Sequence, residues 1–313
     1  MLEPGSHRWS KPASILVATD LGDIDRLFPI ALEQAVETGA RMFILHVLTS
    51  TNSVVVDPGG LPYYNPTEAI DYAEKFLASY CAEARQASVQ CEVLIREGAA
   101  SQQILSVVRQ RQIDRVLLGT RSRGKWGKLL LGSVAEQVLR SVSVPVLTLG
   151  PEAQTGDAAV DGPITILHAT SLSKASHASA ALACDIARSS GGRLMMLHVL
   201  APSHGGAVSL EASDRANRAL AELIPADLAC QCSCTTRVAK GNVAIEILAE
   251  ASQSKAGLII LGAAHSSPIN SLAREGTVYR VLAHAHCPVL TLREQDLAAE
   301  NGSKTEGLAL HEY

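Results

Sequence analysis

Between Gly119 and Ser133 the chain reads GTRSRGKWGKLLLGS, a run that gathers Arg121, Arg123, Lys125 and Lys128 among small residues and hydroxyls. Small residues let a ligand approach the backbone, hydroxyls donate hydrogen bonds, and cations offset negative charge, so the mixture suits a phosphate chain. An apolar run, DRVLL, precedes it and reads as a buried strand; VAEQVLRSV follows with helical spacing. A strand, a basic glycine-bearing loop and a helix N-terminus make an anion site, because free N–H groups and the helix dipole both favour phosphate. Taken singly, Gly119 can close a strand, Ser133 can cap a helix, and loop cations can simply be solvated. No G-x-x-x-x-G-K-[ST] can be drawn through the loop, and no G-x-G-x-x-G follows the first strand, so P-loop and dinucleotide readings fail.

The elements that must position this loop alternate strand and helix. SILVATD, Ile24 to Thr38, RMFILHVL, Asp71 to Ser88, VQCEVLIREG, Ser101 to Gln110, DRVLLGT, Ser133 to Val142 and VPVLTLG follow one another. This order predicts an α/β fold with a parallel sheet covered by helices on both faces. The order then restarts beyond a Pro-, Gly- and acid-bearing linker over 151–162. ILVATD at Ile15 returns as ILHATS at Ile166, LHVL at Leu45 returns at Leu197, and PVLTL at Pro145 returns at Pro288. A repeat this long means two whole domains, expected over 12–150 and 163–293, with a disordered polar tail over 294–313.

The chain has 313 residues, 47% of them hydrophobic, which is enough for two cores. A net charge of −4 and 4% aromatic residues give no general attraction to nucleic acid and no stacking platform for it. No run approaches a membrane span, and the N-terminal MLEPGSHRWSKPAS lacks an apolar leader core, so a cytoplasmic protein is expected. Seven cysteines without framework spacing are read as reduced thiols.

The repeated unit resembles a domain of the universal stress protein family, and the resemblance covers Pro12 to Arg293. It implies tandem five-stranded parallel domains of Rossmann-like, adenine nucleotide alpha hydrolase-like architecture, arranged as an intrachain pseudo-dimer that could pair again as a homodimer. Members of that family often bind adenosine nucleotides through a G-x2-G-x9-G-[ST] loop. Here Gly119, Gly132 and Ser133 fit that pattern, and Ser122 stands where the middle glycine would be. A serine there restricts φ, although its hydroxyl can donate to phosphate. The implied nucleotide-binding set is Asp20 at the adenosine end, Val47 offering backbone groups to the base, and Gly119, Arg121, Ser122, Gly132, Ser133 and Val134 around the phosphates. The implied ligand is ATP, with magnesium, or AMP. The expected role is regulation of an unidentified protein partner in a stress response. One alternative is slow ATP hydrolysis or phosphoryl transfer at the same site, for which Asp20 and Asp23 are the acidic groups at hand. The other is a nucleotide-free adaptor.

The two repeats diverge where the ligand would sit, and the divergence predicts that the later site is dismantled. The interval from Gly119 to Gly262 equals that from Pro145 to Pro288, so a gapless pairing sets Gly132 on Glu275, Ser133 on Gly276 and Ser122 on His265. A carboxylate would then occupy the phosphate position, Ser171 would replace Asp20, and Arg274 would be the sole cation of that loop. Shifting by one residue restores Gly276 and Thr277 as the glycine-hydroxyl pair but requires a compensating deletion. The expectation is one competent site, in the first domain.

Other constellations read as packing. Cys230, Cys232 and Cys234 alternate on one strand face, which suits either buried thiols or a soft metal. His46 and His198 share one place in the repeat, and His284 with His286 would need further ligands to hold a metal. The run over 51–66, rich in Pro and Gly, is expected to be either a lid over the crevice or an irregular surface loop.

Overall fold

The computed structural model describes residues 10–49, 54–56, 62–120, 131–154, 163–173, 176–201, 209–227, 233–263 and 276–293, with 54–56, 62–64 and 263 described by their backbone. The chain divides into two compact units, Lys11–Pro151 and a second that comprises Met1–Ser10 and Glu152–Tyr313. The disordered tail expected over 294–313 lies outside the described residues, as do 155–162 of the linker.

The first unit contains β1 (Ser14–Thr19), α1 (Ile24–Thr38), β2 (Arg41–Leu48), β3 (Val54–Val56), β4 (Pro62–Tyr64), α2 (Pro66–Gln86), β5 (Cys91–Glu97), α3 (Ala100–Gln110), β6 (Arg115–Gly119), α4 (Ser133–Ser141) and β7 (Val146–Leu149). Its main sheet is parallel throughout, in the order β7-β6-β1-β2-β5. The central β1 is buried along its whole length because helices cover both faces, which is why SILVAT is continuously apolar rather than alternating. The edge strand β5 is only partly buried, with Glu92, Arg96 and Glu97 exposed. Asp114, at the foot of β6, fixes the register of the two central strands: its Oδ2 accepts from the amides of Ala13 and Ser14 at 2.9 and 3.1 Å.

The second unit repeats the plan with β8 (Thr165–Ala169), α5 (Ser176–Ser190), β9 (Arg193–Leu200), α6 (Leu210–Glu222), β10 (Cys234–Lys240), α7 (Val243–Gln253), β11 (Leu258–Ala263), α8 (Thr277–His284) and β12 (Val289–Arg293). Its strands are also parallel, in the order β10-β9-β8-β11-β12. In both units the strand order reverses beside the first strand, so the carboxyl ends of β1 and β6, and of β8 and β11, open a crevice. Among the described residues no helix is long and apolar enough to cross a membrane.

Two expectations are corrected here. The run over 51–66 is not wholly irregular, because β3 and β4 pair antiparallel within it. Nor are all the cysteines reduced. Cys81 of α2 is bonded to Cys91 of β5, closing the short turn between helix and edge strand, whereas Cys184, Cys234 and Cys287 form no disulfide among the described residues. The two positions are close in sequence but lie on different element types, so no spacing rule singles them out.

Candidate functional site

The crevice of the first unit holds a cavity of about 280 Å³. β1 and the turn after it contribute Ala18, Thr19, Asp20 and Asp23; β2 contributes Leu45, Val47 and Thr49; β6 contributes Leu118 and Gly119. Two helix starts close it, α3 with Ala100 and Ile104, and α4 with Gly132, Ser133, Val134 and Ala135. The lining therefore combines apolar side chains, two carboxyl groups and a helix N-terminus.

That N-terminus is open. Gly132 takes the N-cap position with φ −64° and ψ 146° and has no side chain to cap the helix, and no side-chain cap bond forms. The amides of the first turn are left available to an anion, and the dipole adds favourable charge. Ser133 follows and also lines the cavity.

At the other end the chain leaves β1 through a tight turn. Leu21 has φ 73°, a left-handed conformation that leucine seldom adopts. Hydrogen bonds hold it there: the Leu21 amide donates to Thr19 Oγ1 at 2.9 Å, and the Gly22 amide donates to Asp20 Oδ1 at 2.9 Å. His46 supports the same turn, its Nδ1 lying 3.0 Å from the Thr19 carbonyl. The turn delivers Asp23 into the crevice, where Thr19 Oγ1 donates to Asp23 Oδ1 at 2.6 Å. Burial pushes the Asp23 carboxyl above the ordinary carboxylate value. The Thr19 hydrogen bond opposes that shift, the charge of Asp20 adds to it, and the amides of Asp20 and Asp23 oppose it.

Of the residues singled out from the sequence, Asp20, Val47, Gly119, Gly132, Ser133 and Val134 all line this cavity. Arg121 and Ser122 lie outside the described residues, as do the loop's other cations. From the sequence, Asp23 stands out only as a group for phosphoryl transfer, and Thr19, Leu45, Thr49, Ala100 and Ile104 do not stand out at all. Thr19 and Asp23 carry a usable signal, four residues apart across a strand-to-helix turn. Ala100 and Ile104 carry none, because only the fold brings α3 over the crevice.

The second crevice reproduces the scaffold. Leu172 has φ 59°, its amide donates to Thr170 Oγ1 at 3.1 Å, and His198 Nδ1 lies 2.9 Å from the Thr170 carbonyl. Where Asp20 stands, Ser171 faces Ser176, their hydroxyl oxygens 3.2 Å apart. A cavity of about 290 Å³ sits at the starts of α7 and α8, lined by Ala201, Gly241, Asn242, Val243, Ala244, Thr277 and Arg280.

The start of α8 overturns the gapless pairing of the repeats. Gly276 is the N-cap, with φ −70° and ψ 151°, and Thr277 opens the helix, as Gly132 and Ser133 do for α4. At the far ends, Val142 and Ala285 close the helices with amide bonds to Val138 and Val281, which restores the gapless pairing. The deletion is thus absorbed in α8, which has 8 residues against 9 in α4. An apolar-face alignment cannot see this, because the buried Val138 and Leu139 match Val281 and Leu282 whichever way the cap falls. Glu275 does not take the cap position that Gly132 holds. Its own placement lies outside the described residues, as do those of His265, Arg274, Cys230 and Cys232.

Among the described residues no group of three or more His, Cys, Asp or Glu gathers as a metal would require. His284 Nδ1 instead lies 3.1 Å from Glu152 Oε1.

Comparison with known proteins agrees with this geometry. Residues 13–149 and 165–293 each match the sequence profile described as the Universal stress protein family. A universal stress protein of Mycolicibacterium smegmatis is 30% identical over 195 residues, covering 59% of this chain and 63% of that protein, so the chain spans less than two thirds of that relative's length. One from Thermus aquaticus is 29% identical over 137 residues, 43% of this chain and 96% of that protein. The crystal structure of a universal stress protein from Archaeoglobus fulgidus superposes with a TM-score of 0.71 at 20% identity, covering 90% of this chain and 98% of that one.

Proposed function

The chain belongs to the universal stress protein family, and from that premise we propose that its first unit binds an adenine nucleotide, ATP or AMP, as a regulatory ligand. The observation that carries this reading is the uncapped start of α4, with Gly132 and Ser133 lining a cavity that Leu45, Val47, Ile104 and Leu118 also line. A phosphate fits the helix start and a base fits the slot between Val47 and Ile104. Asp20 serves the nucleoside end.

The second unit is a weak or empty site in this proposal. The support is the loss of the Asp20 carboxylate to Ser171, and a cavity whose lining among the described residues includes neither β8 nor β11. Regulation follows if nucleotide occupancy biases the conformation of the first unit and a partner protein reads that state.

Mass spectrometry of small molecules released from the purified chain, followed by calorimetry with AMP and ATP, tests the reading. One adenine nucleotide per chain is expected. Neither a co-purifying nucleotide nor measurable binding would refute it, and multiple turnover of ATP by the bound chain would favour an enzyme.

A further inference from the structure

The carboxyl of Asp23 is placed for a purpose its helix does not explain. Asp23 is the N-cap of α1, a position where aspartate ordinarily accepts from the amides of the first turn, yet no side-chain cap bond forms. The carboxyl turns instead toward the crevice, with Oδ1 accepting from Thr19 and the group on the cavity wall. Gly119, the last residue of β6, makes room for it: a Cβ added there would lie 2.3 Å from Asp23 Oδ2. The backbone at Gly119 is not left-handed, so what requires glycine is the neighbouring carboxyl rather than the local φ. A capping interaction worth about 1 kcal/mol is forgone and a carboxyl is buried, a cost that the hydrogen bonds from Thr19 and the neighbouring amides offset only in part.

The position says what it would meet. Asp23 follows β1 and Gly119 ends β6, two strands that pair side by side, and both line the cavity together with Val47, Ile104 and Gly132, whose amide donates to the carbonyl of Thr120 next to Gly119. A nucleotide with its base in the slot and its phosphate on the helix puts its sugar there. We propose that Asp23 is a specificity residue that accepts a hydrogen bond from a ribose hydroxyl, so that the crevice selects ribonucleotides over deoxyribonucleotides. This inference rests on the adenine-nucleotide reading above. The group suits the task because a carboxylate accepts and never donates, and a donor lost from the ligand leaves it buried without compensation. Its raised pKa is the mark of that burial.

Calorimetry on the full chain with AMP, 2′-deoxy-AMP and 3′-deoxy-AMP tests it. The wild type is expected to bind AMP at least about tenfold more tightly than one of the deoxy ligands. Asp23→Ala should bring that ratio to within about twofold, and Asp23→Asn, which keeps the shape and can still accept from Thr19, should leave an intermediate ratio. Gly119→Ala reaches the same end by displacing the carboxyl and should also lower the ratio. If Asp23→Ala does not fold, the other two variants carry the test. A residue that only shapes the turn would weaken all three ligands alike, and an unchanged ratio overturns the proposal while leaving nucleotide binding intact. No binding of AMP by the wild type overturns the nucleotide reading itself.

Discussion

After β1 the chain turns through Thr19, Asp20 and Leu21; after β8 it turns through Thr170, Ser171 and Leu172. Both leucines are left-handed, both amides bond the preceding threonine hydroxyl, and both turns are buttressed by a histidine from the next strand. The side chains that face the crevice differ. The first turn carries Asp20 and, further on, Asp23, whereas the other carries Ser171 and Ser173, whose hydroxyl oxygens lie close to that of Ser176. The helix that closes each crevice differs too. Four residues beyond the cap stands Glu136 in α4 and Arg280 in α8. Duplication has preserved the backbone that builds a site and left its chemistry free to diverge.

The sharpest way to break this comparison is Gly132→Glu. A carboxylate at the cap would occupy the anion end and repel phosphate, so nucleotide binding by the chain should fall by about a hundredfold or more in calorimetry. Binding that survives would show that the second crevice is competent after all.

The cores differ as the crevices do. His168 of β8 is buried with Nε2 3.1 Å from Ser179 Oγ, and burial lowers its pKa from 6.5 to about 4; the corresponding residue of β1 is Val17. A histidine whose folded pKa lies below its unfolded value contributes its full stability above pH 6.5. That contribution is lost as the pH falls toward 4 and changes no further below that, for a total on the order of 3 kcal/mol. Thermal unfolding followed across this range should therefore flatten in His168→Val. A slope that persists would assign the pH dependence to other groups.

The Cys81–Cys91 bond belongs to the first unit, and the strand that corresponds to β5 in the second unit begins with Cys234, a thiol outside any disulfide among the described residues. For a loop of this length, removing the bond by Cys81→Ala is expected to cost roughly 2–3 kcal/mol. Denaturant unfolding with and without a reductant should show a loss in the wild type and no further loss in the variant. Equal sensitivity in both would mean the bond does not stabilise the first unit.

The smallest effect expected is a gain. Because the folded pKa of Asp23 is raised, ionising it costs stability at neutral pH, and the cost disappears below its ordinary value of 3.8. Asp23→Asn should raise the melting temperature of the ligand-free chain at pH 7 and leave it unchanged near pH 3. A lower melting temperature at pH 7 would show that Thr19 depends on the charge.

Much of this architecture is legible in the residues. Continuous apolar runs such as SILVAT announce strands buried on both faces, and the recurrence of LHVL and PVLTL announces the duplication. Gly119, Gly132 and Ser133 stand out from motif spacing, and Asp20 and Val47 from the family resemblance, because each lies at or near a strand or helix end, where position carries meaning. The rest is hidden for definite reasons. Ile104 joins the cavity through the crossover of α3, which no local pattern records. The cap at Gly276 is masked by an apolar face that keeps its own register. Asp23 resembles an ordinary capping residue until its carboxyl is seen to face the other way.

The paired left-handed leucines have a practical consequence. A non-glycine residue held at positive φ costs on the order of 1–2 kcal/mol, and both copies carry that cost although their neighbouring side chains differ. The turn is therefore specified by its threonine latch and not by what it displays. It behaves as a socket: the residues between strand and helix could be exchanged between the two halves, or rewritten for a different ligand, without retuning the strands beneath.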